Sequence, residues 1–162
     1  MRFIKLSTSR RRGGIRTIDS ATGYEIYGAI DDVWKHRESG ELIVVDYKST
    51  SKKEEPTLER GFGDSYKRQI EIYQWLLIQN GFRVSKSAYF LYVNGIKSGS
   101  FFVDSLIGSM RFSAMLIEYS GDASWVPSVV AEAISCLHAK HPPESGESCD
   151  SCRYFDQRVA VL

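Results

Sequence analysis

Residues 42–48, which read Leu-Ile-Val-Val-Asp-Tyr-Lys, decide how the rest of this sequence is interpreted. The four apolar residues predict a β-strand that ends in a carboxylate and an amine. Because alternate residues of a strand share a face, Asp46 and Lys48 are expected to point the same way. A second strand-like run, residues 26–30, ends in Asp31, and a polar turn separates the two runs. An antiparallel pair with two carboxylates at neighbouring strand ends is therefore expected.

Two carboxylates and a lysine suit the cleavage of a phosphodiester. Mg²⁺ prefers hard oxygen ligands, usually one or two carboxylates completed by water and substrate phosphate. A bound metal polarises a phosphoryl oxygen and activates water, and a nearby lysine can orient that water or stabilise the developing charge. The alternative is a surface salt bridge between Asp46 and Lys48, worth about 0–1 kcal/mol. That alternative has weight because an acid-x-Lys match arises about once by chance in a chain of this size.

Three short blocks follow one another at ordinary separations. They are Gly28-Ala29-Ile30-Asp31, then Val45-Asp46-Tyr47-Lys48, then Gln69 and Tyr73 one turn apart on a predicted amphipathic helix. The order resembles the RecB-like branch of the PD-(D/E)XK nuclease superfamily, with its RecB-like exonucleases and CRISPR-adaptation nucleases. That branch reads Gly-x-Ile-Asp, Val-Asp-x-Lys and Gln-x-x-x-Tyr. The resemblance covers residues 23–95 well and the remainder loosely.

The resemblance implies an α/β fold, a central mixed β-sheet flanked by helices with a restriction-endonuclease-like core. It implies a metal-dependent DNA nuclease, an exonuclease or DNA-processing enzyme that uses Mg²⁺ or Mn²⁺. Asp31, Asp46 and the backbone carbonyl of Tyr47 would hold the metal, and Lys48 would position the attacking water. The catalytic candidates that the resemblance assigns are Asp31, Asp46, Lys48, Gln69 and Tyr73. Asp32 is expected on the opposite face of its strand as a surface acid.

One expected ligand is missing from the sequence. RecB-like nucleases usually carry a further His or Glu on a helix ahead of the Gly-x-Ile-Asp block. Here the acids in that region are Asp19 and Glu25, and neither lies in a matching context. Two alternatives follow: a catalytically impaired nucleic-acid-binding module, or a subunit of a larger recombination or CRISPR-adaptation complex in which a partner completes the site.

The three cysteines form a separate question. Cys149-x-x-Cys152 is similar to the tail of RecB-like nucleases that hold an iron–sulfur cluster with four cysteines. This chain has no cysteine before Cys136, so an intact cluster is not expected. One alternative is a zinc site built from Cys136, Cys149 and Cys152 with His141 or His138. The other is a Cys-x-x-Cys pair that binds no metal.

Length and composition set the general class. The 162 residues are 43% apolar and 25% charged, which indicates a globular protein with one sizeable core. We expect one nuclease-like domain over residues 1–140 and a cysteine-containing tail over 141–162. No apolar run is long enough to cross a membrane and no leader is recognised, so a cytoplasmic protein without membrane partners is expected. The net charge of +1 gives no global sign of DNA binding, although Arg10–Arg12 form a local basic cluster.

The predicted elements complete the expectations. Asp64 or Ser65 is predicted to cap a helix that Gly81 stops, and Asn94-Gly95 is predicted to form a hairpin turn. The tail from His141 onward is predicted to be a loop. The predicted strands are residues 2–6, 15–19, 23–34, 41–48, 85–94 and 96–104, and the predicted helices run to about 79 and from about 123 or 127 to 140.

Overall fold

The computed structural model describes residues 14–104 and 106–159. The predicted strand 2–6 and the basic cluster Arg10–Arg12 lie outside these ranges. The chain divides into two compact units, one up to Pro127 and one from Ser128, and the predicted boundary at residue 140 stays a prediction. The elements are β1 Ile15–Ile18, β2 Glu25–Gly28, β3 Asp32–Lys35, β4 Leu42–Thr50, α1 Gly63–Gln79, β5 Ser87–Ile96, β6 Arg111–Ser120, a 3₁₀ turn Ala123–Trp125, α2 Val126–His138 and α3 Asp150–Val159.

The main sheet has four strands in the order β3-β4-β5-β6. Strands β4 and β5 run parallel, and the other two neighbouring pairs are antiparallel. A parallel pair needs a crossover connection, which α1 supplies between β4 and β5. Strands β1 and β2 form a separate antiparallel pair. The expected α/β class, a mixed sheet flanked by helices, is confirmed.

The core of the first unit lies between α1 and the sheet. The predicted apolar stripe of α1 is buried, with Ile70 and Leu76 fully enclosed. Val44 and Phe90 on the two central strands are also fully buried. Each such side chain contributes about 1.5–3 kcal/mol relative to an exposed one. This packing fixes the face of β4 that α1 covers, and the site lies on that face.

Helix α1 begins differently from its prediction. Phe62 occupies the N-cap position and no side chain caps the helix, so the predicted caps Asp64 and Ser65 are wrong. A Cβ on Gly63 would lie 1.9 Å from the carbonyl oxygen of Leu58, so close packing against the preceding loop sets this end. The predicted end is confirmed. Gly81 has a φ of +82°, the left-handed conformation that closes a helix.

The predicted strand 23–34 is broken in two. Its first part, β2, pairs with β1, whereas its second part, β3, pairs with β4. Residues 29–31 form the junction, because the chain changes partners there. The hairpin turn before β4 is confirmed, and Gly40 supplies its positive φ of +73°. Asp31 therefore lies at the junction between the two sheets.

The predicted turn at Asn94-Gly95 is wrong, because β5 continues through it to Ile96. The side chain of Asn94 accepts from the backbone N–H of Lys52 and donates to its carbonyl, each at 3.0 Å. These bonds hold Asn94 in an extended strand instead of a turn. The partner strand is β6, and the predicted strand 96–104 is wrong. Phe101 and Phe102, which the predicted hairpin would place beside the aromatic residues of β5, are instead exposed on the β5–β6 connection.

The second unit contains most of α2 and all of α3. The predicted helix near residues 123–140 is confirmed, but the tail is not a plain loop, because α3 spans Asp150–Val159. Asp150 in its first turn and Arg158 in its last complement the helix dipole. Among the described residues, no helix combines the length and the apolar character needed to span a membrane.

Candidate active site

Asp46 is a buried carboxylate in the middle of the main sheet. Strand β4 lies between β3 and β5, and the Asp46 side chain is only 2% exposed. The Lys48 ammonium nitrogen lies 2.5 Å from Asp46 Oδ2 on the same face of the strand. The Lys48 side chain is 17% exposed, so the ion pair is not the surface salt bridge of the alternative interpretation.

The hydrogen bonding of Asp46 is incomplete. Although Lys48 is close, Oδ2 accepts no properly directed hydrogen bond from the residues that the structure describes. Burial raises the pKa of Asp46 above its ordinary value, Lys48 lowers it, and the charge of Asp31 raises it further. A buried carboxylate oxygen with a single ammonium beside it is costly, because it loses hydration without full replacement. Its environment would therefore gain from a further cation.

Asp31 is placed beside Asp46. Strand β3 begins at Asp32, which pairs with Val45, so Asp31 lies just ahead of the strand. The backbone N–H of Tyr47 donates to Asp31 Oδ2 at 3.0 Å, which fixes this carboxylate against β4. The charge of Asp31 also raises the pKa of Asp46, as expected for neighbouring carboxylates. The two predicted metal ligands thus lie near each other, Asp46 within β4 and Asp31 just ahead of β3.

Two residues of α1 continue the polar network from Lys48. The ammonium donates to Gln69 Oε1 at 3.2 Å, and Gln69 Nε2 donates to the Tyr73 hydroxyl at 2.8 Å. The network fixes the amide orientation of Gln69 and gives the Lys48 ammonium a second partner besides Asp46. All three residues were candidates from the sequence, and the structure brings them together.

Tyr73 serves both packing and hydrogen bonding. Its ring is buried, and burial raises the pKa of its hydroxyl, which therefore stays protonated. A Cβ on Gly28 would lie 2.7 Å from Tyr73 Cε1. The glycine of the Gly-x-Ile-Asp block thus provides the space that the Tyr73 ring occupies.

Tyr66 is a member of this network that the sequence reasoning missed. The Lys48 ammonium lies 4.2 Å from the centroid of the Tyr66 ring, within the range of a cation–π contact. Tyr66 precedes Gln69 by three residues and Tyr73 by seven, so all three share one face of α1. That spacing was available in the sequence and could have identified it.

Asp32 and the Tyr47 side chain lie on the other face of the sheet from Asp46 and Lys48. Tyr47 donates its hydroxyl to Asp32 Oδ2, and this bond raises the pKa of Tyr47 to about 12. The expected placement of Asp32 away from the site is therefore confirmed. The proposed metal contact of the Tyr47 carbonyl stays a prediction.

The acids upstream of the site are engaged elsewhere. Asp19 accepts hydrogen bonds from the backbone N–H and hydroxyl of Thr22, and Glu25 forms an ion pair with Arg16 at 3.2 Å. Within residues 14–104 and 106–159, no group of three or more His, Cys, Asp or Glu side chains is positioned to hold a metal. Among the described residues, Asp31 and Asp46 therefore have no third His, Cys, Asp or Glu side chain beside them.

The same finding covers the cysteine tail. Cys149 and Cys152 are neighbours, since the backbone N–H of Cys152 donates to the Cys149 sulfur at 3.4 Å. In the described part of the chain, Cys136 and His141 do not combine with them into a group of three metal-binding side chains. The predicted zinc ligands thus do not form a preassembled set.

The donors at Asp31 and Asp46 fit Mg²⁺ or Mn²⁺. These ions need few protein ligands, often one or two carboxylates, and complete their shell with water and phosphate oxygens. The Asp46 oxygen that lacks a directed donor is the observation that supports the fit.

Comparison with known proteins agrees with this geometry. The family model described as the PD-(D/E)XK nuclease superfamily matches residues 2–157, nearly the whole chain. Neither a curated protein nor a solved structure gives a significant match. Nucleases of this superfamily typically use divalent metals such as Mg²⁺. The chain belongs to the PD-(D/E)XK nuclease superfamily.

Proposed function

We propose that this protein is a Mg²⁺- or Mn²⁺-dependent deoxyribonuclease of the RecB-like branch, an exonuclease or DNA-processing enzyme. The observation that carries the proposal is the Asp46 carboxylate, buried beside Lys48 and Asp31 with one oxygen that lacks a directed donor. A purely structural carboxylate at this depth would be expected to have its hydrogen bonds completed. A carboxylate that binds a cation together with the substrate would be expected to have incomplete hydrogen bonds while the cation is absent.

Asp31 and Asp46 would hold the metal, with the Tyr47 carbonyl as a further oxygen donor. A metal bound there would supply Lewis-acid polarisation of the phosphate and a water of lowered pKa. Asp31 is already oriented for this role, because the Tyr47 N–H fixes one of its oxygens. Asp46 is held in place by the sheet itself, since β4 is paired on both sides.

Lys48 is the residue placed to act on the reacting groups. Its ammonium contacts Asp46, Gln69 and the Tyr66 ring, so three neighbours restrict its position. A fixed ammonium beside the metal ligands can orient the attacking water and stabilise the charge that develops on the phosphate. Gln69 and Tyr73 act through Lys48 and are positioning residues.

The test is hydrolysis of linear single- and double-stranded DNA in the presence of Mg²⁺ or Mn²⁺. Asp46→Asn and Lys48→Met should each lower the rate by at least about 100-fold, as expected for loss of a metal ligand or of a transition-state contact. Glu38→Gln, an exposed acid in the β3–β4 turn, is the matched control and should cleave at the parental rate. Parental rates in Asp46→Asn or Lys48→Met would show that the roles are wrongly assigned.

The second candidate is a catalytically impaired DNA-binding module, alone or as a subunit of a recombination or CRISPR-adaptation complex in the cytoplasm. It is favoured by the lack, within the described residues, of a third His, Cys, Asp or Glu beside the two aspartates. It predicts salt-dependent DNA binding without turnover, and binding that survives Asp46→Ala. Cleavage that Asp46→Ala abolishes would reject it.

A further inference from the structure

A cavity adjoins the candidate site on the side of Lys48. Its volume is about 280 Å³, and its wall is formed by Lys48, Tyr66, Tyr92 and the loop that connects β4 with α1. Lys48 is shared by the candidate site and this cavity, because its ammonium contacts Asp46 while its side chain lines the cavity. A group bound in this cavity would therefore lie directly beside a phosphate at the two aspartates. We call this space the loop cavity.

The size of the loop cavity restricts what can enter it. Pockets for whole small molecules usually measure about 300–1,000 Å³, so this cavity is at or just below the lower limit. One planar ring system fits such a volume, whereas a base pair within an intact duplex does not. A nucleobase would have to be unpaired to enter.

The charges along the cavity favour a neutral group. Lys52 and Arg60 line it, but so do Glu54 and Glu55. The Arg60 guanidinium lies 3.8 Å from the Glu54 carboxylate, so it is already paired. A cavity that collected phosphate would be expected to show an excess of free cations. The near balance of charge is better suited to an uncharged aromatic ring.

Phe62 supplies the surface on which such a ring could stack. It lines the cavity and is 72% exposed, although it is large and apolar. Its ring centroid lies 6.2 Å from that of Tyr66, which in turn contacts Lys48. Apart from this contact with Tyr66, the side chain of Phe62 neither caps α1 nor enters the core, so most of its ring is open to a ligand. Base–aromatic stacking is a common means by which proteins hold single strands.

We propose that the loop cavity binds an unpaired nucleobase next to the scissile phosphate, stacked on Phe62. This proposal rests on the proposed nuclease function, which it extends from the phosphate to the neighbouring base. The phosphate of that nucleotide would lie at Lys48 and its base would extend toward the loop.

Binding without turnover tests the base site directly. The protein is titrated with a fluorescent oligothymidylate and with an abasic strand of equal length, in Ca²⁺ in place of Mg²⁺. The parent should bind the strand with bases about 5- to 150-fold more tightly, the equivalent of about 1–3 kcal/mol per stacked base. Phe62→Ala and Phe62→Leu should lose most of this preference. Phe82→Ala should keep it, because Phe82 is an exposed phenylalanine at the opposite end of α1.

The outcomes separate the two proposals. A parent without preference for bases, or a preference that Phe62→Ala leaves intact, overturns the base site whatever the cleavage assay shows. Loss of the preference in both Phe62 variants, with the preference kept in Phe82→Ala, supports the base site. If the parent then cleaves neither DNA form with Mg²⁺ or Mn²⁺, the base site stands and the nuclease function fails.

Discussion

Replacing Gly28 with alanine tests how the fold and the site depend on the close contact between Gly28 and the Tyr73 ring. The added Cβ would lie 2.7 Å from Tyr73 Cε1 and 3.1 Å from Leu76 Cδ1. Ordinary contact begins at 3.4 Å, so the Tyr73 ring would have to move by about 0.7 Å (3.4 minus 2.7). The ring is buried and both partners belong to the core of α1, so the space for this movement is small.

Overpacking of this kind costs about 1–3 kcal/mol. For a protein of this size, 1 kcal/mol corresponds to about 2–4 °C, so the melting temperature should fall by about 2–12 °C. The Tyr73 hydroxyl accepts the hydrogen bond of Gln69, which in turn holds Lys48. Displacement of the ring should therefore slow DNA cleavage by about tenfold or more, since a misplacement near 1 Å can cost about 100-fold.

The assays are thermal unfolding by circular dichroism and cleavage of a linear DNA. Gly95→Ala is the matched control, because Gly95 is also buried but a Cβ there would meet its nearest neighbours at 3.6 Å, an ordinary contact. In a Tyr73→Ala background the cost of Gly28→Ala should shrink, because the ring that the Cβ meets is gone. The reasoning is refuted if Gly28→Ala and Gly95→Ala have the same melting temperature. It is also refuted if Gly28→Ala lowers the stability equally in the parent and in the Tyr73→Ala background.

Three further predictions concern Asp46 and Glu71, whose carboxylates are both buried. Mg²⁺ at about 100 times its Kd should stabilise the parent by about 2.7 kcal/mol in urea unfolding, and Asp46→Asn should abolish this gain. In the metal-free protein, burial raises the pKa of Asp46 above its value of 3.8 in the unfolded chain, so the folded state holds the proton more tightly. The stability from this group should therefore fall as the pH rises from 3.8 through the folded pKa, and Asp46→Asn should remove that slope in urea unfolding at several pH values. Glu71 on α1 accepts hydrogen bonds from the Tyr119 hydroxyl, the Asp122 backbone N–H and the Trp125 indole. Glu71→Ala removes this acceptor and should cost about 3 kcal/mol or more, whereas Glu38→Ala at an exposed turn should stay within about 0.5 kcal/mol. Equal unfolding midpoints for the two variants would contradict this.

The parts of the fold that local patterns determine were predictable from the sequence. The run Leu42–Val45 was identified as a strand because consecutive apolar residues fit a strand buried on both faces. The stripe of α1 follows from helical periodicity, and its end follows from the positive φ that Gly81 adopts. In each of these cases the residues that decide the structure are close in the sequence.

The errors arose where contacts outside the local sequence pattern decide the structure. Asn94-Gly95 has the composition of a turn, but Asn94 is held extended by the backbone of Lys52, which is 42 positions away. The start of α1 depends on the approach of Gly63 to Leu58 instead of on a capping side chain. Strand β6 was missed although its sequence contains the apolar run Ala114–Ile117, because the predicted turn at Asn94-Gly95 had already assigned residues 96–104 as the partner strand of β5.

The proximity of Asp31, Asp46 and Lys48 followed more directly from the sequence than the turns and strand ends around them, and the reason is chemical. Asp31, Asp46 and Lys48 come from two short blocks whose residue types are required by the chemistry that the family performs. Their convergence needs only one antiparallel pair, β3 with β4, which the local turn already indicates. Tyr66 was missed because it contributes a ring face to Lys48, and an aromatic residue on a helix is more often a core residue.

Glu71 on α1 and Asp46 on β4 are both buried, and the difference in their surroundings is the best argument that one of them is functional. Glu71 accepts from the Tyr119 hydroxyl at 2.6 Å, the Asp122 backbone N–H at 3.1 Å and the Trp125 indole at 2.7 Å. These three donors replace the water that Glu71 loses, so its charge anchors α1 to the end of the sheet. Asp46 is at least as deeply buried, yet among the described residues no directed donor reaches its Oδ2. The same fold that satisfies one carboxylate fully leaves the other with capacity for a cation, and it does so where a lysine and a second aspartate are placed beside it.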